Sequence, residues 1–109
     1  MGRADRTDEF AAEVVDEDGR PVVRVRGEID AATATRFRAC LAEALARDPH
    51  LVIDLSASTF MDSTGLSALV RAYHDTGRLK EAVVLRSVAA PIRRTLEISG
   101  VSELVTVVP

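Results

Sequence analysis

A short, β-branched apolar run, Leu51-Val52-Ile53-Asp54-Leu55, is followed beyond a hydroxyl-rich stretch by Leu66, Leu69, Val70 and Tyr73 at i, i+3, i+4 and i+7. The first pattern is that of a strand covered on both faces, and the second is one face of a helix. A strand that feeds an amphipathic helix returns to its sheet through a crossover, so this switch commits the chain to an α/β layout. The same alternation continues on either side. From Ala31 to Arg47 the chain is alanine-rich, with Phe37, Leu41 and Leu45 spaced by four and Cys40 and Ala44 beside them, until Asp48-Pro49 stops it. Ala82 to Leu85 reads as another apolar strand. Pro91 to Ser99 reads as a helix, because proline suits a first helical turn and Gly100 supplies a left-handed C-cap, with Val101 placed to close its apolar contact. Leu104 to Val108 is a last strand. Ahead of all these, Phe10 to Val15 and Val22 to Arg26 flank Asp16-Glu17-Asp18-Gly19, with Pro21 just after, and predict a hairpin whose glycine takes φ > 0.

The predicted order is β-β-α-β-α-β-α-β: a small mixed sheet in which strands separated by helical patterns run parallel through right-handed crossovers, with the helices packed on it. At 109 residues the chain supports one core. Residues 1–8 are polar, charged and aperiodic, which predicts a flexible N-terminal tail ahead of a domain at 9–109.

Charge narrows the partners. A formal net charge of −3 and a pI near 5.3, with Arg and Lys scattered among acids, leave no basic footprint for nucleic acid. No apolar run approaches the roughly 20 residues that span a bilayer, and Met1-Gly2-Arg3-Ala4-Asp5-Arg6 lacks the apolar stretch of a secretory signal, so a soluble cytoplasmic protein is expected. Cys40 is the single cysteine, and His50 and His74 have no second ligand at metal spacing. No metal or cofactor site is expected.

In sheets of this kind ligands and partners gather beyond the carboxyl ends of the strands. Two such loops stand out, Gly27-Glu28-Ile29-Asp30 and Asp62-Ser63-Thr64-Gly65. If their strands are neighbours, Asp30 and Asp62 flank one acidic, hydroxyl-rich edge. Ser63 falls at a helix start, where backbone N–H groups lack partners and negative charge is favoured, so it suits either a phosphate or a plain N-cap. Thr64 reads as a helix-start hydroxyl or a second acceptor. Asp30 orients the serine, meets a partner or caps the first helix; Asp62 fixes the loop by accepting N–H bonds or positions the serine. Glu28 is a solvated charge or a partner contact. Gly65 permits close approach of another backbone, or simply meets the turn's geometry. Arg93 and Arg94 read as a solvated helix face.

Enzyme chemistry finds little support. Asp75-Thr76-Gly77 spells the aspartic-protease triplet, but it follows a helical stripe instead of lying in the β-built cleft that two proton-sharing carboxylates require. No G-x-S-x-G elbow accompanies Ser63, neither histidine has a supporting motif, and no P-loop or dinucleotide glycine pattern occurs.

Three elements agree in order and spacing with a known family: Gly27-Glu28-Ile29-Asp30 before the first helix, Phe60-Met61-Asp62-Ser63-Thr64-Gly65-Leu66 before the second, and Leu96-Glu97-Ile98-Ser99-Gly100-Val101 ending the third. Over roughly residues 10 to 108 the chain resembles a STAS domain of the bacterial anti-sigma factor antagonist type. The resemblance implies a non-enzymatic switch whose unphosphorylated form binds an anti-sigma factor and frees a sigma factor. It further implies that the anti-sigma factor is a serine kinase, that a PP2C-type phosphatase reverses the mark, and that Ser63 is the phosphoacceptor. Glu28, Asp30, Asp62, Ser63, Thr64 and Gly65 then form the expected partner-binding set. The chain departs from the family pattern at Ser67, where relatives usually carry glycine, and at Lys80-Glu81, where paired glycines often end the second helix. Gly77 falls earlier, which predicts that the second helix ends or breaks near Thr76. Many members also carry a helix beyond the position of Pro109. The alternative within the resemblance is a STAS subunit of a transporter or stress-sensing assembly, or one that binds a nucleotide.

Overall fold

The computed structural model describes residues 10–109, so the tail expected at 1–8 lies outside the described residues. The elements are β1 (Ala11–Glu17), β2 (Arg20–Ile29), α1 (Ala34–Arg47), β3 (Leu51–Met61), α2 (Ser63–Asp75), β4 (Val83–Arg86), α3 (Ala90–Ser99) and β5 (Thr106–Val108), with single 3₁₀ turns at Lys80–Ala82 and Val101–Glu103. The expected element order holds. The sheet runs β1-β2-β3-β4-β5 in space, with β1 antiparallel to β2 and every later pair parallel.

Boundaries moved where local chemistry outweighed the apolar pattern. The hairpin strands reach a two-residue turn in which Asp18 and Gly19 both take positive φ, 54° and 85°, as a tight turn matching strand twist requires. Strand β3 runs on to Met61, six residues past its expected end, because the polar Ser56–Thr59 stretch still pairs with β2 across two register shifts. Helix α1 starts at Ala34, not Ala31, since residues 31–33 form a turn. The last strand begins at Thr106, after the 3₁₀ turn that follows the left-handed Gly100. Helix α2 stops at Asp75 with Thr76 as its C-cap, as the position of Gly77 led us to expect.

One core joins the sheet to the helices. Val23 and Val25 of β2, Leu51, Ile53 and Leu55 of β3, and Val83 and Leu85 of β4 cluster with Phe37 and Leu41 of α1, Leu69 of α2, and Ile92 and Leu96 of α3. The alternate residues Arg24, Val52, Asp54, Val84 and Arg86 are exposed or half-buried on the other face. Strand β3 is thus covered on one face only, which corrects the reading of Leu51–Leu55 as covered on both. The charge of Asp54 was the sign of that open side.

An ion network crosses the open face. Arg86 donates to both oxygens of Glu17 on the edge strand (3.0 and 2.9 Å) and to Asp54 (2.8 Å), tying β4 to β3 and β1. Burial alone raises the pKa of Asp54, but the Ser56 hydroxyl and amide and the Arg86 guanidinium outweigh it and bring it down to about 2. The Arg86 hydrogen bond likewise holds the Glu17 carboxyl below its ordinary value.

Candidate functional site

Strands β2 and β3 are parallel neighbours that end in register, Ile29 opposite Met61, so Asp30 and Asp62 leave the sheet side by side. The Asp62 amide donates to the Ile29 carbonyl (3.0 Å), carrying the pairing one residue beyond the strand. Asp62 is the N-cap of α2. Its carboxylate accepts from the Thr64 amide (2.8 Å) and the Thr64 hydroxyl, and its carbonyl accepts from Gly65 and Leu66 (3.1 Å each). The Thr64 hydroxyl, opposed by burial and aided by the amides of Thr64, Gly65 and Ala31, keeps the Asp62 carboxyl below its ordinary pKa.

Ser63 therefore occupies the first position of α2 and does not cap it. Its side chain is exposed, and its hydroxyl makes no hydrogen bond among the described residues. The expected alternative, a serine consumed by helix capping, is excluded by Asp62 holding that place.

The neighbouring loop is built by Asp30 and Thr33. The Asp30 carboxylate accepts from the amides of Ala32 (3.0 Å) and Thr33 (3.2 Å), and the Asp30 amide donates to the Thr33 hydroxyl (2.9 Å). That hydroxyl lies 2.8 Å from the Glu28 carbonyl and 3.2 Å from the Asp30 carboxylate, and donates to one of them at a time. Asp30 thus shapes the turn before α1, whose N-cap is Thr33, and makes no hydrogen bond to Ser63 among the described residues.

Of the expected site residues, the structure brings Glu28, Asp30, Asp62, Ser63 and Thr64 together at one edge. Glu28 is exposed and lies opposite Phe60 in the β2–β3 register. Thr64 is half-buried, with its hydroxyl engaged by Asp62. Gly65 turns the other way. It is buried, and a Cβ there would lie 2.5 Å from Met61 Cγ and 2.9 Å from Ile29 Cγ2, so its missing side chain lets α2 sit on the ends of β2 and β3. Neither a partner's approach nor turn dihedrals accounts for that glycine. Sequence reasoning overlooked Thr33, whose spacing of three from Asp30 was the available signal. It also left Phe60 out of the site, although the ring is 45 % exposed.

Among the described residues no group of three or more His, Cys, Asp or Glu is placed to hold a metal ion, and no helix is long and apolar enough to cross a membrane. His50 and His74 are exposed and Cys40 is half-buried against the core.

At the carboxyl end of the parallel strands the exposed serine thus directly follows a capping aspartate and stands two residues ahead of a buried glycine. The STAS domain profile matches residues 10–109, and the chain belongs to the STAS domain family. It is 35% identical over 98 residues to the anti-sigma-F factor antagonist RsfB of Mycobacterium tuberculosis, covering 88% of this chain and 79% of that protein. It is 32% identical over 84 residues to the anti-sigma-B factor antagonist of Listeria monocytogenes, covering 76% and 74%. The crystal structure of an anti-sigma factor antagonist from Mycobacterium paratuberculosis superposes with a TM-score of 0.80 at 34% identity, covering 94% of this chain and 87% of that one.

Proposed function

We propose that this protein is an anti-sigma factor antagonist whose binding is switched off by phosphorylation of Ser63. The observation that carries the reading is the placement of Ser63: exposed, hydroxyl unengaged among the described residues, at the first position of α2 and next to a carboxylate that already satisfies the Thr64 amide. The relatives named above, antagonists of anti-sigma-F and anti-sigma-B factors, support it. The unphosphorylated edge binds an anti-sigma factor that is also a serine kinase, and a sigma factor is released. A PP2C-type phosphatase restores the serine.

Physics favours a switch of the interface over a switch of the fold. A phosphoserine carries about −1.5 to −2 charges at neutral pH. The start of α2 favours it by roughly 0.3–1 kcal/mol. Asp62 opposes it, because its lowered pKa keeps that carboxylate charged and it occupies the Thr64 amide that a phosphate would otherwise take. The dianion gains no internal partner and stays pointed outward. Burying it unpaired beneath a protein costs several kcal/mol, and each 1.4 kcal/mol is about tenfold in affinity.

The test is a displacement assay with a preformed complex of sigma factor and anti-sigma factor. Wild type and Ser63→Ala are expected to release the sigma factor, while Ser63→Asp leaves the complex intact. Release by Ser63→Asp at wild-type concentrations contradicts the reading.

A further inference from the structure

Three large hydrophobic side chains are exposed among the described residues: Phe60 at 45 %, Leu79 at 58 % and Ile98 at 80 %. Leu79 follows the C-terminal end of α2, and Ile98 lies in the last turn of α3. Both helices start at the carboxyl ends of strands and run back along the sheet, so these two residues sit at the far end of the domain. Phe60 is at the near end, three residues before Ser63 and paired in register with Glu28. Strand alternation explains its direction: Met61 enters the core at 2 % exposure, which turns Phe60 outward. The fold gains little from an aromatic ring left in water, and a polar residue would complete the strand as well.

The charges beside it divide into two kinds. Asp30 and Asp62 spend their carboxylates on loop amides and hydroxyls, whereas Glu28 is exposed and makes no ion pair among the described residues. The edge thus combines one outward phenyl ring, one outward carboxylate and one outward hydroxyl. Interface energy concentrates in a few aromatic anchors surrounded by a polar rim, and rim charges act mainly on encounter and orientation.

We propose that Phe60 is the anchor of the anti-sigma factor contact at Ser63, seated in an apolar pocket of that partner whose rim presents a Lys or Arg to Glu28. The inference rests on the functional reading above and names the chemistry of the partner it requires. It also explains how one phosphate suffices: a dianion placed at the mouth of the pocket must be desolvated for the ring to enter.

The experiment titrates the protein against the purified anti-sigma factors of its own genome and carries forward the one that binds wild type. Phe60→Ala is expected to lose about 30-fold or more in affinity, and Phe60→Leu less. Phe60→Tyr, which keeps the ring and adds a hydroxyl at its tip, is expected to lose affinity without a change in melting temperature. Glu28→Gln is expected to lose a few-fold at low salt and nothing at high salt. Leu79→Ala and Ile98→Ala serve as controls and are expected to bind as wild type. If Phe60→Ala binds like wild type while Ser63→Asp does not bind, the anchor is wrong and the switch stands. If Ser63→Asp binds like wild type, or no anti-sigma factor binds, the switch and the anchor fall together.

Discussion

Gly65→Ala puts the packing under Ser63 to a quantitative test. Gly65 is at the third position of α2, and its φ is not positive, so backbone strain plays no part. The added methyl would meet Met61 Cγ at 2.5 Å, Ile29 Cγ2 at 2.9 Å and Met61 Sδ at 3.2 Å. The first two distances are shorter than real carbon contacts allow, and Ile29 is fully buried, so α2 has to move outward or the core has to shift. Overpacking of this kind costs about 1–3 kcal/mol. Replacing glycine by alanine inside a helix returns up to about 1 kcal/mol. The net is a loss of about 1 kcal/mol, which for a domain of this size lowers Tm by about 4–8 °C. Thermal melts followed by circular dichroism measure it. Met61→Ala removes both Met61 contacts, so in that background Gly65→Ala is expected to cost less, a coupling that a double-mutant cycle reads directly. A Gly65→Ala protein that melts several degrees above wild type, or whose loss is the same in both backgrounds, refutes the packing argument. Because α2 carries Ser63, the same variant is expected to be phosphorylated more slowly.

Other parts of the structure make separate predictions. The pKa of Asp54 is lowered from 3.8 to about 2 in the folded protein, so its share of stability is complete above about pH 4 and is lost as pH falls toward 2. After allowance for solvent screening this is about 1–2 kcal/mol, and Arg86→Met should flatten the acid limb of a urea-midpoint against pH curve. An acid limb identical in wild type and Arg86→Met would count against the network. Thr33→Val removes the hydroxyl that joins Glu28 to Asp30 and is expected to cost about 1 kcal/mol, with Thr33→Ser near wild type in chemical denaturation. Asp62→Ala strips α2 of its cap and should cost about 0.5–2 kcal/mol, with faster amide exchange confined to the first turn of α2.

Much of this was legible in the residues because pattern and chemistry agreed. The four-residue spacing of Phe37, Leu41 and Leu45 and the Pro91 to Gly100 frame carry helix signals that tertiary packing did not override, and both helices formed with starts moved by one to three residues. Strand β3 shows where the signal stops. Its extension through Ser56–Thr59 depends on pairing with β2 across register shifts, and pairing is a nonlocal property that a polar stretch does not announce. The one-sided cover of the sheet was hidden for a similar reason: Val52 and Val84 are apolar, yet they face the side without a helix, where Glu17, Asp54 and Arg86 form the ion network. At the site, Ser63, Asp62 and Asp30 could be picked out from their place beyond strand ends. The division of labour could not, since it depends on the folded geometry in which Asp62 caps, Asp30 builds a turn, Gly65 packs inward and Ser63 is left unengaged.

Incubation with ATP and the cognate anti-sigma factor kinase, followed by intact-mass spectrometry and fragmentation, reads the phosphorylation of Ser63 without an intermediary. Wild type is expected to gain a single phosphate, located on Ser63, and Ser63→Ala none, with Thr64 unmodified in both. A phosphate on Thr64 or elsewhere, or undiminished phosphorylation of Ser63→Ala, would contradict it.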